Sequence, residues 1–121
     1  MANQERITDY EAFWLFYLRE HASPATRALH YFGTFVAIFG IVAAILSGEL
    51  WLLIAVPFAG YIPAWIAHFL IERNHPATFR YPLWSLLSDF RMAFAWVTGQ
   101  LDDDLRRAGV MPPQTEIPRQ R

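Results

Sequence analysis

Two long stretches of the chain, residues 28–46 ("ALHYFGTFVAIFGIVAAIL") and 50–71 ("LWLLIAVPFAGYIPAWIAHFLI"), are apolar on every face that a helical or strand period would generate. A helix needs about 20 mainly apolar residues to cross a bilayer, so both predict membrane-length helices. Only Ser47, Gly48 and Glu49 lie between them, and a connection that short demands an antiparallel hairpin. Pro57 and Pro63 inside the second stretch predict kinks, tolerable where neighbouring helices satisfy the freed carbonyls. Two buried helices of a soluble bundle are the competing reading, but segments apolar all round are unusual in a small water-soluble domain.

The flanking segments carry a different pattern. "DYEAFWLFYLRE" reads as an amphipathic helix lying in the membrane interface, with Thr8 as its cap, Asp9 and Glu11 at its positive end, and a broad aromatic surface. "NHPATFRYP" predicts a turn, because each proline pushes the residue before it out of helix. "LWSLLSDFRMAFAWVTG" then predicts a third apolar helix, re-entrant or interfacial, with Ser85, Ser88 and Asp89 on one face and Gly99 as its stop. The expected fold is all-α, an integral membrane helical bundle: residues 1–105 form one membrane-embedded helical domain and 106–121 a polar tail. The start, "MANQERITDYEAF", has acids where a cleaved signal peptide has positive charge, and predicts none.

Composition supports the lipid-facing reading and removes several functions. Of 121 residues, 55% are hydrophobic and only 17% charged, against roughly a quarter charged in a typical soluble domain. A net charge of -1 with no basic stripe argues against a nucleic-acid partner. With no cysteine, disulfides, thiolate metal sites and thiol nucleophiles are excluded, so any metal must be held by His, Asp, Glu or backbone oxygen. Arg6, Arg19 and Arg27 precede the first apolar stretch, Arg73, Arg80 and Arg91 follow the second, and the turn between has no basic residue. Both termini are therefore expected in the cytoplasm, and the lack of lysine fits a GC-rich bacterium and its inner membrane.

The hairpin brings the histidines together. His21 closes the first helix, His30 opens the first apolar stretch, His68 ends the second and His75 falls in the following turn, so all four gather near one membrane face. Glu72, four residues after His68, is expected on the same helical face one turn away. Interfacial histidines that bond headgroups or cap helix ends are the bland alternative. Three of them with a carboxylate at membrane depth form a costly cluster, and His with carboxylate and open positions is the ligand set of non-haem iron.

The stretches "FYLREHASPATRALH" and "AHFLIERNHPATF" resemble the small membrane family that includes the fungal 2-hydroxy fatty acid dioxygenase of phytosphingosine breakdown, formerly a domain of unknown function. The shared pattern is His, Pro three later and His six after that, followed far downstream by His, Glu four later and Pro four after the Glu. Here it falls on His21, Pro24, His30, His68, Glu72 and Pro76. The join between the apolar stretches is shorter than in the fungal members, and His75 stands where a basic residue is usual, so no ligand role passes to it. The resemblance implies an Fe(II)-dependent dioxygenase that converts a 2-hydroxy fatty acid and O2 to the one-carbon-shorter acid and CO2, in the endoplasmic reticulum for eukaryotic relatives. It implies metal ligands His21, His30 and His68, with Glu72 as a fourth ligand or as the acceptor that orients an imidazole. Arg27, with Arg73 as second candidate, would pair with the substrate carboxylate, although anchoring to lipid phosphate is the competing role for either. Phe32, Phe35, Phe39, Trp65 and Phe69 are the candidates to line an acyl slot, and Asp89 could bond a ligand histidine or pair with Arg91 or Arg80. A haem held by His30 and His68, or a non-catalytic scaffold or lipid-binding hairpin, are the other two readings.

Overall fold

The computed structural model describes residues 6–112. The first five residues, part of the stretch read as lacking a signal peptide, and residues 113–121 of the expected polar tail lie outside that range. Five α-helices and no strand are found among the described residues.

The first helix, α1 (Tyr10–Glu20), is capped by the Asp9 carboxylate, which accepts the Ala12 N–H at 3.0 Å. Asp9, one residue beyond the expected Thr8, holds the extended backbone that lets its side chain reach back over the first turn. The aromatic face of this helix is not spread on lipid. Phe13, Trp14, Tyr17 and Leu18 are almost fully buried against protein, where Phe13 packs on Tyr81 and Trp84 and the Arg91 guanidinium lies 4.3 Å above the Trp14 ring. Burying side chains of this size stabilises the fold by roughly 1.5–3 kcal/mol each.

Ser23 caps α2 (Pro24–Ser47), with Pro24 at the first helical position, so the helix starts one turn before the apolar stretch does. Gly48 ends it in the left-handed conformation at φ 74°, and the chain turns at once into α3 (Leu52–Ile66). The expected antiparallel hairpin forms with Pro57 and Pro63 inside its second arm. Where the two arms cross, Gly33 meets Gly60 so closely that a Cβ at Gly33 would stand 2.6 Å from the Gly60 carbonyl oxygen. After Ile66 the winding changes to a π-helix over Ala67–Glu72, whose i→i+5 bonding is rare and common at functional sites. Arg73, the only non-glycine residue at positive φ among those described, then reverses the chain.

A 3₁₀ turn (Ala77–Phe79) leads into α4 (Pro82–Thr98), which Gly99 ends at φ 79°, as its position in the sequence predicts. The stretch beyond is not all tail: α5 (Leu101–Arg107) buries Leu101 and Leu105 against α1 and α4, and helix runs past residue 105. The molecule thus has two unlike parts. An aromatic core of α1, α4 and α5 sits beside a hairpin whose membrane-length helices, of mean hydropathy 2.1 and 1.7, have only 22% and 17% of their most apolar windows buried. Leu46, Leu70 and Phe39 are more than 70% exposed, an apolar surface far larger than a soluble monomer usually carries.

Candidate metal centre

Three histidine side chains meet at the junction of these two parts, each delivered by a different element. His21 caps the end of α1; its Nδ1–H donates to the Tyr17 carbonyl at 2.5 Å, and its ring stacks on that of Tyr17 with centroids 4.0 Å apart. His30, on the second turn of α2, donates its Nδ1–H to the Thr26 carbonyl at 2.9 Å. His68, in the π-helical turn, donates its Nδ1–H to Asn74 Oδ1 at 2.7 Å. The Asn74 amide nitrogen bonds both the Glu20 carbonyl and the Glu20 carboxylate, so its oxygen is the atom left to face His68.

The partners determine the tautomers. A carbonyl oxygen can only accept, so each Nδ1 carries hydrogen and each neutral ring presents a bare Nε2 lone pair. These lone pairs face one another: His21 Nε2 lies 2.9 Å from His30 Nε2 and 3.1 Å from His68 Nε2. All three rings are at most 4% exposed, and one ligand nitrogen from each falls within 4.8 Å of the others. Burial, and then the neighbouring His30 and His68, hold the His21 imidazole well below its ordinary pKa, so protonation does not relieve the repulsion. A cation does. Two nitrogens bound at right angles about 2.1 Å from a metal lie about 3 Å apart, close to both separations seen here. Each imidazole also has the carbonyl acceptor on its far nitrogen that metal-binding histidines characteristically have.

The remaining expected site residues take other places. Glu72 is committed elsewhere: its Oε1 accepts the Ser23 N–H at 2.7 Å, and it is not among the residues whose ligand atoms converge. Arg27 Nη1 donates to the His21 and Ala22 carbonyls, both at 2.9 Å. Glu72 and Arg27 therefore grip the α1–α2 turn from its N–H and carbonyl sides, holding the backbone of His21. His75 and Arg73 are exposed and outside the cluster. Asp89 accepts the Tyr17 hydroxyl, while Arg91 pairs with Glu11 at 3.1 Å. Asn74, Tyr17 and Glu20 escape the sequence reading, the only hint being a polar residue just past the helix that carries His68.

Two cavities adjoin the cluster. A small one of about 20 Å³, large enough for a single water-sized molecule, is lined by His21, His30, His68, Tyr17, Ser85 and Asp89 among others, and the buried Ser85 hydroxyl has no hydrogen-bond partner. From His30 and Asp89 a groove of about 330 Å³ runs along the hairpin between α2, α3 and α4. Small residues, Gly33, Thr34, Ala37, Gly60 and Ala64, make much of its wall, with Tyr61, Leu86 and Phe90 beside them, and none of the expected aromatics lines it. Of the expected aromatics Trp65 borders the small cavity beside the histidines, while Phe32, Phe35, Phe39 and Phe69 are 43–77% exposed and line neither cavity.

Burial pushes the Asp89 carboxyl up to about 7. The folded protein then holds this proton more tightly than the unfolded chain does, so the associated stability is present below the usual carboxylate range and is lost as pH rises through about 7. Asp89→Asn keeps an acceptor for the Tyr17 hydroxyl and removes the titration. Its melting temperature should therefore exceed that of the parent by an amount that grows from acidic to mildly alkaline pH, reaching the equivalent of a few kcal/mol. A difference that stays constant across that range would show that Asp89 ionises without cost.

Fold and cluster together define an all-helical protein with two helices apolar enough to cross a membrane and a buried three-histidine group able to hold a metal ion. A family model described as "2-hydroxy-palmitic acid dioxygenase Mpo1-like" matches residues 7–101. The chain belongs to this Mpo1-like family, and the matched span contains every element of the His–Pro–His and His–Glu–Pro pattern. No curated protein and no solved structure matches it.

Proposed function

We propose that this protein is an iron-dependent dioxygenase that converts a 2-hydroxy fatty acid and O2 into the one-carbon-shorter fatty acid, CO2 and water. The observation that carries this reading is the set of three buried Nε2 lone pairs that face one another with every Nδ1–H already donated. His21, His30 and His68 would hold the metal. Bound there, Fe(II) would supply Lewis acidity and electron-transfer capacity. The electron balance needs no further reductant, because cleaving the bond between the hydroxyl-bearing carbon and the carboxyl carbon releases the four electrons that one O2 accepts.

The chain's own groups divide the remaining work. Asp89 borders both cavities, which supports a role for its carboxylate as acceptor of the 2-hydroxyl proton. Tyr17 orients Asp89 through its hydroxyl and His21 through its carbonyl and ring. The small walls of the groove shed water and receive the acyl chain. A haem between His30 and His68 fits poorly, since those rings stand edge to face with centroids only 5.1 Å apart and His21 occupies the same point. The arginine distribution and the uncovered hairpin support a bacterial inner-membrane protein whose hairpin enters from the cytoplasmic side.

Protein purified in detergent without oxygen should carry close to one iron per chain. On addition of a 2-hydroxy fatty acid it should consume one O2 for each CO2 released, with the one-carbon-shorter acid as product. Absence of bound metal even after loading with Fe(II), or iron-loaded protein that leaves the acid unchanged, would sink the proposal and favour a lipid-binding hairpin.

A further inference from the structure

The groove beside the histidines has two unlike ends. Its head carries His30 and Asp89, its far end lies at the level of Ile41 and Val56, and apart from Tyr61 the lining between is small or apolar. The Gly33–Gly60 crossing orders the levels along it. Ala37 lies beside Gly60, with 3.7 Å between its Cβ and one built on that glycine, and Gly40 lies against Val56 one turn further on. From His30 to Ile41 the helix climbs eleven residues. That climb is on the order of 16 Å, the length of roughly a dozen extended carbons.

We infer that this groove is a slot for a single acyl chain and that its length selects the substrate, with Ala37 and Ile41 as the residues that set the limit. The inference rests on the dioxygenase reading for the identity of the head group. The occupant is an amphiphile with one tail and a small polar head. A two-tailed lipid fits less well, because the head end narrows into a cavity of only about 20 Å³ shared by the histidines and Asp89. A tail that ends short of Ile41 leaves the groove partly filled; one that passes it gains nothing more from the protein.

The test is a binding series. Straight-chain 2-hydroxy acids from octanoic to stearic are titrated against iron-loaded protein without O2 and followed by native mass spectrometry, and O2 uptake is then measured on the same preparations. Within the slot each added methylene should tighten binding about four-fold, and beyond the slot binding should level off. Ala37→Leu, four residues nearer the head than Ile41, removes about 6 Å of slot and should move the break shorter by roughly five carbons. Ile41→Phe should trim the longest chains only and Ile41→Ala should move the break longer, which keeps the test decisive if Ala37→Leu fails to fold. A break that shifts in this order supports the slot. A rise with no break, a break at the same length in every foldable variant, or co-purified phospholipid that the acids cannot displace would overturn it. A shifting break in protein that never consumes O2 supports the slot while overturning the dioxygenase reading, so the two fail separately.

Discussion

His21→Ala should strip the protein of bound metal and of all activity that depends on it, while Glu72→Gln should leave metal content unchanged. His21 is the hub of the cluster, since its Nε2 makes both of the close approaches, to His30 and to His68. Removing that ring takes away one nitrogen and leaves the other two without their common neighbour. Asn74→Ala should fall between these extremes. It frees the His68 ring to rotate and unties the end of α1 at Glu20, and loss of such an orienting partner typically costs 10–100-fold in metal affinity. Glu72→Gln keeps an oxygen that can accept the Ser23 N–H, so it separates a carboxylate that braces the α1–α2 turn from one that binds metal. Plasma mass spectrometry on the four proteins, loaded with Fe(II) under identical conditions, decides the ranking. Metal loss in Glu72→Gln equal to that in His21→Ala would mean that the carboxylate turns to the metal once metal is bound.

Gly33→Ala should weaken the hairpin and the metal centre together, although alanine is the better helix former by about 1 kcal/mol. The added methyl would stand 2.6 Å from the Gly60 carbonyl oxygen and 3.3–3.4 Å from two further backbone atoms of Gly60. Backbone cannot rotate aside as a flexible side chain can, so the helices must separate. Overpacking of this kind costs about 1–3 kcal/mol, which outweighs the gain in propensity. Because His30 lies one turn from Gly33 and His68 lies beyond Gly60 on the other arm, the same separation pulls two of the three histidines apart. Gly60→Ala is the contrast: its nearest neighbours would be 3.7 Å away, an ordinary contact, and it should be neutral or mildly stabilising. The check is the melting temperature and iron content of both variants in detergent. Equal behaviour of the two glycines would count against the tight crossing.

What the sequence could and could not say follows from the range of each signal. Hydrophobic length and the three-residue join determined the hairpin, since those features act locally. The same hairpin constrained His21, His30 and His68 to one end of the molecule, and the matched family bears out the resemblance that their spacing carries. Aromatic spacing misled in two places. The ring-rich face of α1 is buried against α4 and α5, and most of the hairpin aromatics expected to line an acyl slot are exposed, because the pattern that marks an apolar face does not say whether lipid or protein covers it. The tertiary structure alone decided that Asn74 rather than Glu72 orients His68, for the chain reverses at Arg73 and brings Asn74 back onto the ring while the Glu72 carboxylate is taken by the Ser23 N–H. It also decided that a groove lined in part by Gly33, Ala37 and Gly60 leads to the three-histidine cluster. The amino-acid order sets which side chains are available and along which helix they lie; the close approach of two glycines sets the register between helices, and register determines which nitrogens meet.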